Sequence, residues 1–154
     1  MANIIKFNSS EGIDQKLIEL EPGFFHGSRG PASDDVVLIQ YGVTQVLSIT
    51  SVTLPPIRAA CRWHLAVDDG QGWSEEQIDF VKAFCMFVFT HHPRAIIHCD
   101  HGASRSSGGV ILWKMLKDGM SRDTAYAWLR SINPYANCRQ EILDSLPVSY
   151  DFTK

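Results

Sequence analysis

Of the four cysteines in this sequence, at 61, 85, 99 and 138, one stands where it could act as a nucleophile. Cys99 closes the short apolar run Ala95-Ile96-Ile97-His98-Cys99, and the segment from His98 to Ser106 (HCDHGASRS) then leads into a helical stretch. A loop running from strand to helix turns successive backbone N–H groups inward and adds the positive end of the helix, so it forms a cradle for an anion. A cysteine facing such a cradle is favoured as its thiolate, the reactive form. Arg105, at the far rim, offers a planar fork that can take two oxygens of a phosphate at once. On this reading Asp100, His101, Gly102, Ala103, Ser104 and Arg105 line the cradle, with Gly102 allowing a tight turn. A cysteine ending a buried strand is commonly only a small core hydrophobe, and C-x5-R alone is weak. The conjunction of apolar strand, His98, Cys99, Gly102, Arg105, Ser106 and helix is what points to covalent chemistry.

The elements that must position this loop are legible from punctuation. Glu21-Pro22-Gly23 signals a turn, followed by the apolar Phe24-Phe25. Ser33 is read as the N-cap of a helix that carries Asp34 and Asp35 in its first turn and stops at Gly42. Val43–Thr50 and Cys61–Val67 read as strands, the second ending in the loop Asp68-Asp69-Gly70-Gln71-Gly72. Ser74 with Gln77 forms a capping box, opening a helix that ends before Pro93. Ala95–Cys99 is a strand of the buried parallel type. A helix over Ser106–Lys117 stops at Gly119, Ser121 caps another reaching Ile132, and Asn137 with Gln140 opens a last one. Gly108 and Gly109 cost about 1 kcal/mol each in helix propensity, a cost expected where the helix start packs closely on neighbouring backbone. Alternating strands and helices predict a single α/β domain with a central, mainly parallel sheet flanked by helices. Residues 1–20 read as a loosely structured lead-in.

Composition narrows the class. The chain has 154 residues, 45% hydrophobic and 20% charged, with net charge −3, which suits one globular domain and excludes collagen-like or low-complexity scaffolds. Its basic residues are scattered, leaving no footprint for duplex nucleic acid or an anionic membrane. The opening MANIIKFNSS has no long apolar core, so no signal peptide is expected, and no run reaches the ~18 apolar residues of a membrane span. Four scattered cysteines do not make a secreted disulfide framework. A cytoplasmic, reducing compartment is therefore expected. His91, His92, His98, Cys99 and His101 match no zinc spacing, so neither a metal nor a cofactor is expected.

HCDHGASRS resembles the HC-x5-R-[ST] signature of the cysteine-dependent protein phosphatases, and the chain length suits their dual-specificity branch. The likeness extends over residues 21–146. EPGFFHGSRGPASDDVVLIQYGVTQVLSIT is similar to that branch's amino-terminal block, WHLAVDD to its general-acid strand and loop, and GVILWKMLKDGMSRDTAYAWLRSINPYANCRQEILDSL to its carboxyl-terminal helices. The resemblance implies a catalytic domain over residues 21–150 with the dual-specificity/tyrosine phosphatase-like fold. It implies hydrolysis of a phosphomonoester on a protein or peptide through a phosphocysteine intermediate on Cys99, with Arg105 holding the phosphoryl oxygens and Ser106 easing departure of the sulfur. The family's general acid lies about thirty residues before the cysteine, where Asp68 and Asp69 both stand, so spacing does not decide. Matching Val67-Asp68-Asp69 to the branch's [IV]-x-D puts Asp69 at the acid position.

His98, on the strand before Cys99, is expected to orient the loop by hydrogen bonding. Asp100 and His101 occupy variable positions, and the Asp100 carboxylate is expected to point away from a bound dianion. The loop lacks the lysines of inositol-lipid phosphatases. HC-x-H-G is similar to the RNA 5′-triphosphatases of the superfamily, but the rest of that signature is missing. A phosphate-binding pseudophosphatase would need loss of the Cys, Arg or acid, and none is lost. Cys61, near the acid strand, is the candidate partner for a reversible disulfide with Cys99, while Cys85 and Cys138 read as core thiols.

Overall fold

The computed structural model describes residues 4–7, 15–101 and 103–150. Among these, strands β1 (Ile4–Phe7), β2 (Gln15–Glu21), β3 (Phe24–Gly27), β4 (Gln45–Thr50), β5 (Cys61–Ala66) and β6 (Ala95–His98) form one sheet. Its order is β1-β2-β3-β6-β4-β5. The β3–β6, β6–β4 and β4–β5 pairs are parallel, and β1–β2 and β2–β3 are antiparallel. The helices are α1 (Arg29–Ala32), α2 (Asp35–Gln40), α3 (Glu75–His91), α4 (Arg105–Asp118), α5 (Arg122–Ile132) and α6 (Gln140–Ser145). The α/β architecture and mainly parallel core expected from the sequence are present.

Strand alternation sorts side chains between two covers. Ile96, Val46 and Phe25 pack with Leu38 of α2 and Ala32 of α1 on one face. Ile97, Leu47, Ile49 and Phe24 pack with Val81 and Phe84 of α3, Ile111 and Leu112 of α4, and Leu129 of α5 on the other. β6 is buried on both faces throughout, which is why its sequence is a continuous apolar run rather than an alternation. The strand therefore holds its carboxyl end, and Cys99 beyond it, in a fixed place.

Local signals set the boundaries, with three corrections. The Ser74/Gln77 capping box is formed, and Ser121 accepts a hydrogen bond from the Thr124 N–H. Tyr41 caps α2 just before Gly42, whose φ is +67°, and Gly119 ends α4 at φ +69°. The cap of α2, however, is Asp34 rather than Ser33, its Oδ1 accepting from the Val36 and Val37 N–H groups. The cap of α6 is Arg139 rather than Asn137, with no side-chain cap hydrogen bond, and the Asn137 N–H donates to the Ala103 carbonyl. The lead-in is not loose where it is described. β2 includes the buried Leu17 and Ile18, and β1 pairs with it antiparallel. Among the described residues no helix is long and apolar enough to cross a membrane.

Gly108 and Gly109 sit where close packing was expected, but against side chains rather than backbone. A Cβ on Gly108 would lie 2.8 Å from both Ile142 and Trp73. One on Gly109 would lie 3.0 Å from Ile49 and 3.1 Å from Ile97. The first turn of α4 is thereby pressed onto the sheet, which fixes Arg105 and Ser106 beside the end of β6.

Candidate active site

Cys99 is 3% exposed, and its Sγ lies 3.1 Å from Ser106 Oγ in the first turn of α4. Behind Ser106 runs a chain of buried polar groups. Ser106 Oγ is 2.6 Å from His26 Nε2, and His26 Nδ1 is 3.0 Å from Asn133 Nδ2 at the end of α5. Asn133 Oδ1 in turn accepts the Tyr135 backbone N–H at 2.9 Å. The sheet makes this meeting possible. β3 lies parallel to β6 with His26 opposite Ile97, and His26 shares the face of Phe24, the face that α4 covers. Burial first, and the neighbouring His98 second, lower the His26 pKa to about 3, so its ring is neutral.

A second chain approaches Cys99 from the opposite face of the sheet. His98 Nδ1–H donates to the Cys99 carbonyl at 2.9 Å, which leaves Nε2 as the acceptor. The Ser48 hydroxyl supplies that nitrogen at 2.6 Å, and Arg62 Nη1–H donates to Ser48 Oγ at 2.5 Å. Burial is the main cause that lowers the His98 pKa to about 4. The loop-orienting hydrogen bond expected of His98 is thus present, and the ring is neutral rather than basic.

Arg105 is 6% exposed and joins two loops. Its Nη1–H donates to the Val67 carbonyl at 3.1 Å, immediately before Asp68-Asp69, and its Nη2–H to Asp100 Oδ2 at 2.7 Å. The Asp100 carboxylate therefore turns toward Arg105, not away from the cradle as expected. A buried guanidinium requires a countercharge, and Asp100 is the nearest carboxylate in the loop. Arg29 approaches the other Asp100 oxygen at 3.8 Å, and its N–H donates to the Asp100 carbonyl at 3.1 Å.

Asp69 Oδ2 pairs with Arg139 Nε at 3.1 Å, and the Arg139 N–H donates to Ser104 Oγ at 3.3 Å. This links the Asp69 loop to the cysteine loop. Asp68 is exposed, and its carbonyl accepts the Gln71 N–H. The Ala103 carbonyl accepts from Ser107 Oγ–H and from the Asn137 N–H at 2.9 Å. His101 is exposed, and Gly102 lies outside the described residues.

Sequence reasoning missed His26, Asn133, Arg139 and Arg29. Their only signal is polarity at odds with position, such as a histidine following Phe24-Phe25 in an apolar strand. It also misjudged the second thiol. Cys61 and Ala95 both pair with Gln45, so Cys61 sits at the far end of the sheet from Cys99. Cys138 is buried, as expected of a core thiol. Burial, then Cys99, then Asp69 push its pKa up to about 12.

No family model matches the chain. It is 25% identical over 128 residues to mouse dual specificity protein phosphatase 12, covering 80% of this chain and 38% of that protein. Against Arabidopsis thaliana dual specificity protein phosphatase 1 it is 27% identical over 139 residues, covering 89% of this chain and 70% of the relative. The crystal structure of human DUSP28 superposes with a TM-score of 0.72 at 20% identity, over 84% of this chain and 88% of that one. The chain is dual-specificity phosphatase-like. It spans well under half the length of its mouse relative. In this dual-specificity phosphatase-like chain, the loop after β6 brings together Cys99, Arg105 and Ser106. Arg105 and Arg139 tie that loop to the Asp68-Asp69 loop from two directions.

Proposed function

We propose that this chain is a cysteine-dependent phosphomonoester hydrolase of the dual-specificity protein phosphatase type, acting on phosphorylated protein or peptide. The observation that carries the reading is the Cys99 Sγ held 3.1 Å from Ser106 Oγ, in a loop whose Arg105 reaches the Val67 carbonyl just before Asp68-Asp69. The domain, expected from the sequence over residues 21–150, would start at residue 15, because β2 (Gln15–Glu21) is part of its sheet.

In the first step the Cys99 thiolate donates its electron pair to phosphorus, forming the S–P bond as the ester P–O bond breaks. The departing oxygen takes a proton from the Asp69 carboxylic acid. In the second step a water oxygen attacks phosphorus and gives its proton to the Asp69 carboxylate. The P–S bond then breaks, releasing inorganic phosphate and restoring the thiolate. Arg105 and the loop N–H groups of Asp100, His101, Gly102, Ala103 and Ser104 bind the equatorial oxygens, most strongly in the transition state. Ser106 hydrogen-bonds the sulfur and makes it a better leaving group in the second step. Asp69 is assigned ahead of Asp68 because Arg139 ties it to Ser104 of the cysteine loop. The chemistry needs a free thiol, hence a reducing compartment such as the cytoplasm, and neither metal nor cofactor enters it.

The test is turnover of phosphotyrosine, phosphoserine/threonine, phosphoinositide and 5′-triphosphorylated RNA by the reduced, folded protein, with Cys99→Ser as control. Turnover of the phosphopeptides that Cys99→Ser abolishes is the expected result. No turnover of any of the four overturns the reading, and turnover of lipid or RNA alone moves it to a non-protein substrate. Asp69→Asn should slow alkyl phosphates by about 100-fold and an activated aryl phosphate far less. The same pattern from Asp68→Asn instead would reassign the acid.

A further inference from the structure

Resting on that reading, we propose that His26 and Asn133 are positioning residues that fix which way the Ser106 hydroxyl proton points, aiming it at the Cys99 sulfur. The chain of donors and acceptors has one consistent direction. The Tyr135 backbone N–H can only donate, so the Asn133 atom that receives it is Oδ1, and Nδ2 is the atom facing His26. Nδ2 can only donate, so His26 Nδ1 is the acceptor. A neutral ring with an acceptor at Nδ1 carries its proton on Nε2. That Nε2–H points at Ser106 Oγ, 2.6 Å away, and occupies an oxygen lone pair. The hydroxyl then has its own proton left to give, and the sulfur stands 3.1 Å from the oxygen.

Burial holds this arrangement in one state. His26 and Ser106 are 0% exposed and Asn133 is 1% exposed, so solvent is excluded from the relay. An imidazolium is disfavoured at the same place by burial and by the neighbouring His98. Without the histidine the hydroxyl would be free to turn back onto a carbonyl of its own helix, as serines near helix starts do. Its hydrogen bond to sulfur would then be made only part of the time. The effect belongs to the second step, where sulfur leaves with its electron pair, rather than to binding.

Two measurements test this. The first needs no turnover: nitrogen-15 spectra of the wild-type histidines should show His26 protonated on Nε2 and unprotonated on Nδ1 throughout pH 5–8. A proton on Nδ1 overturns the inference outright. The second is pre-steady-state hydrolysis of an activated aryl phosphate by wild type, His26→Leu, His26→Gln and Ser106→Ala. His26→Leu should slow breakdown of the phosphoenzyme by about tenfold, one charge-assisted hydrogen bond in part. A burst of aryl alcohol should appear and kcat and KM should fall together, while the first-step rate and kcat/KM change little. Ser106→Ala should slow the same step at least as much, and the double variant no further than Ser106→Ala alone. His26→Gln, which returns an N–H near the Nε2 position, should recover part of the loss. A folded His26→Leu that slows both steps alike, or neither, would sink the proposal, as would additivity with Ser106→Ala. If wild type turns over no phosphate ester but the Nε2 proton is found, the phosphatase reading falls and the proton assignment stands.

Discussion

Ser48 carries no charge and is fully buried, yet it is the hinge between a cation and the Cys99 carbonyl. It takes the Arg62 Nη1–H and gives its own proton to His98 Nε2, which frees His98 Nδ1–H for the Cys99 carbonyl. Ser48→Ala would leave a buried imidazole nitrogen short of a donor, which typically costs about 1–3 kcal/mol. Arg62 Nη1, already 3.5 Å from that nitrogen, can move in as a partial substitute, so the low end of that range is expected. Denaturant unfolding should therefore show a loss of about 1 kcal/mol for Ser48→Ala, rising when Arg62→Met removes the substitute. Equal midpoints for wild type and the double variant would show that the chain contributes nothing to stability.

Among the elements, α4 shows how sequence and packing can oppose each other. Replacing Gly108 with alanine gains about 1 kcal/mol in helix propensity. The new methyl would sit 2.8 Å from Trp73 and Ile142, and overpacking of that kind costs typically 1–3 kcal/mol. Packing should win, and Gly108→Ala should melt below wild type; a higher melting temperature would show that Trp73 yields without cost. The same contrast explains what was legible beforehand. Capping boxes, prolines and positive-φ glycines act within four residues, so Ser74, Ser121, Gly42 and Gly119 marked their helices correctly. Cys99, Arg105 and Ser106 were legible because one loop contains them. β1 and β2 were not, since strands that mix polar and apolar residues lack the buried strand's continuous run. His26, Asn133 and Arg139 were hidden for a different reason. Their partners lie 107, 80 and 35 residues away, and only the parallel pairing of β3 with β6 and the return of the chain after α5 bring them together.

At the scale of the whole molecule, two neutral histidines in one core make acid the natural weakness. The folded pKa values of His26 and His98 are lowered to about 3 and about 4, from 6.5. Between those values the unfolded chain binds protons that the folded chain refuses, so stability is complete above about pH 6.5 and falls as pH drops toward 4. Each histidine contributes a slope of roughly 1 kcal/mol per pH unit in that window. Unfolding free energies measured at pH 7, 6, 5 and 4.5 should decline accordingly, and His26→Leu should flatten the decline by about one proton's worth. A profile flat to pH 5 would mean that water or a countercharge reaches these rings. The Arg105 tether has a consequence of another kind. Its guanidinium already spends one Nη1–H on the Val67 carbonyl and one Nη2–H on the Asp100 carboxylate, while its buried Nε–H has no partner. An oxyanion arriving at Arg105 meets a cation that Asp100 already partly neutralises, so its measured affinity will be lower than an unpaired guanidinium would give, and Asp100→Asn should raise it.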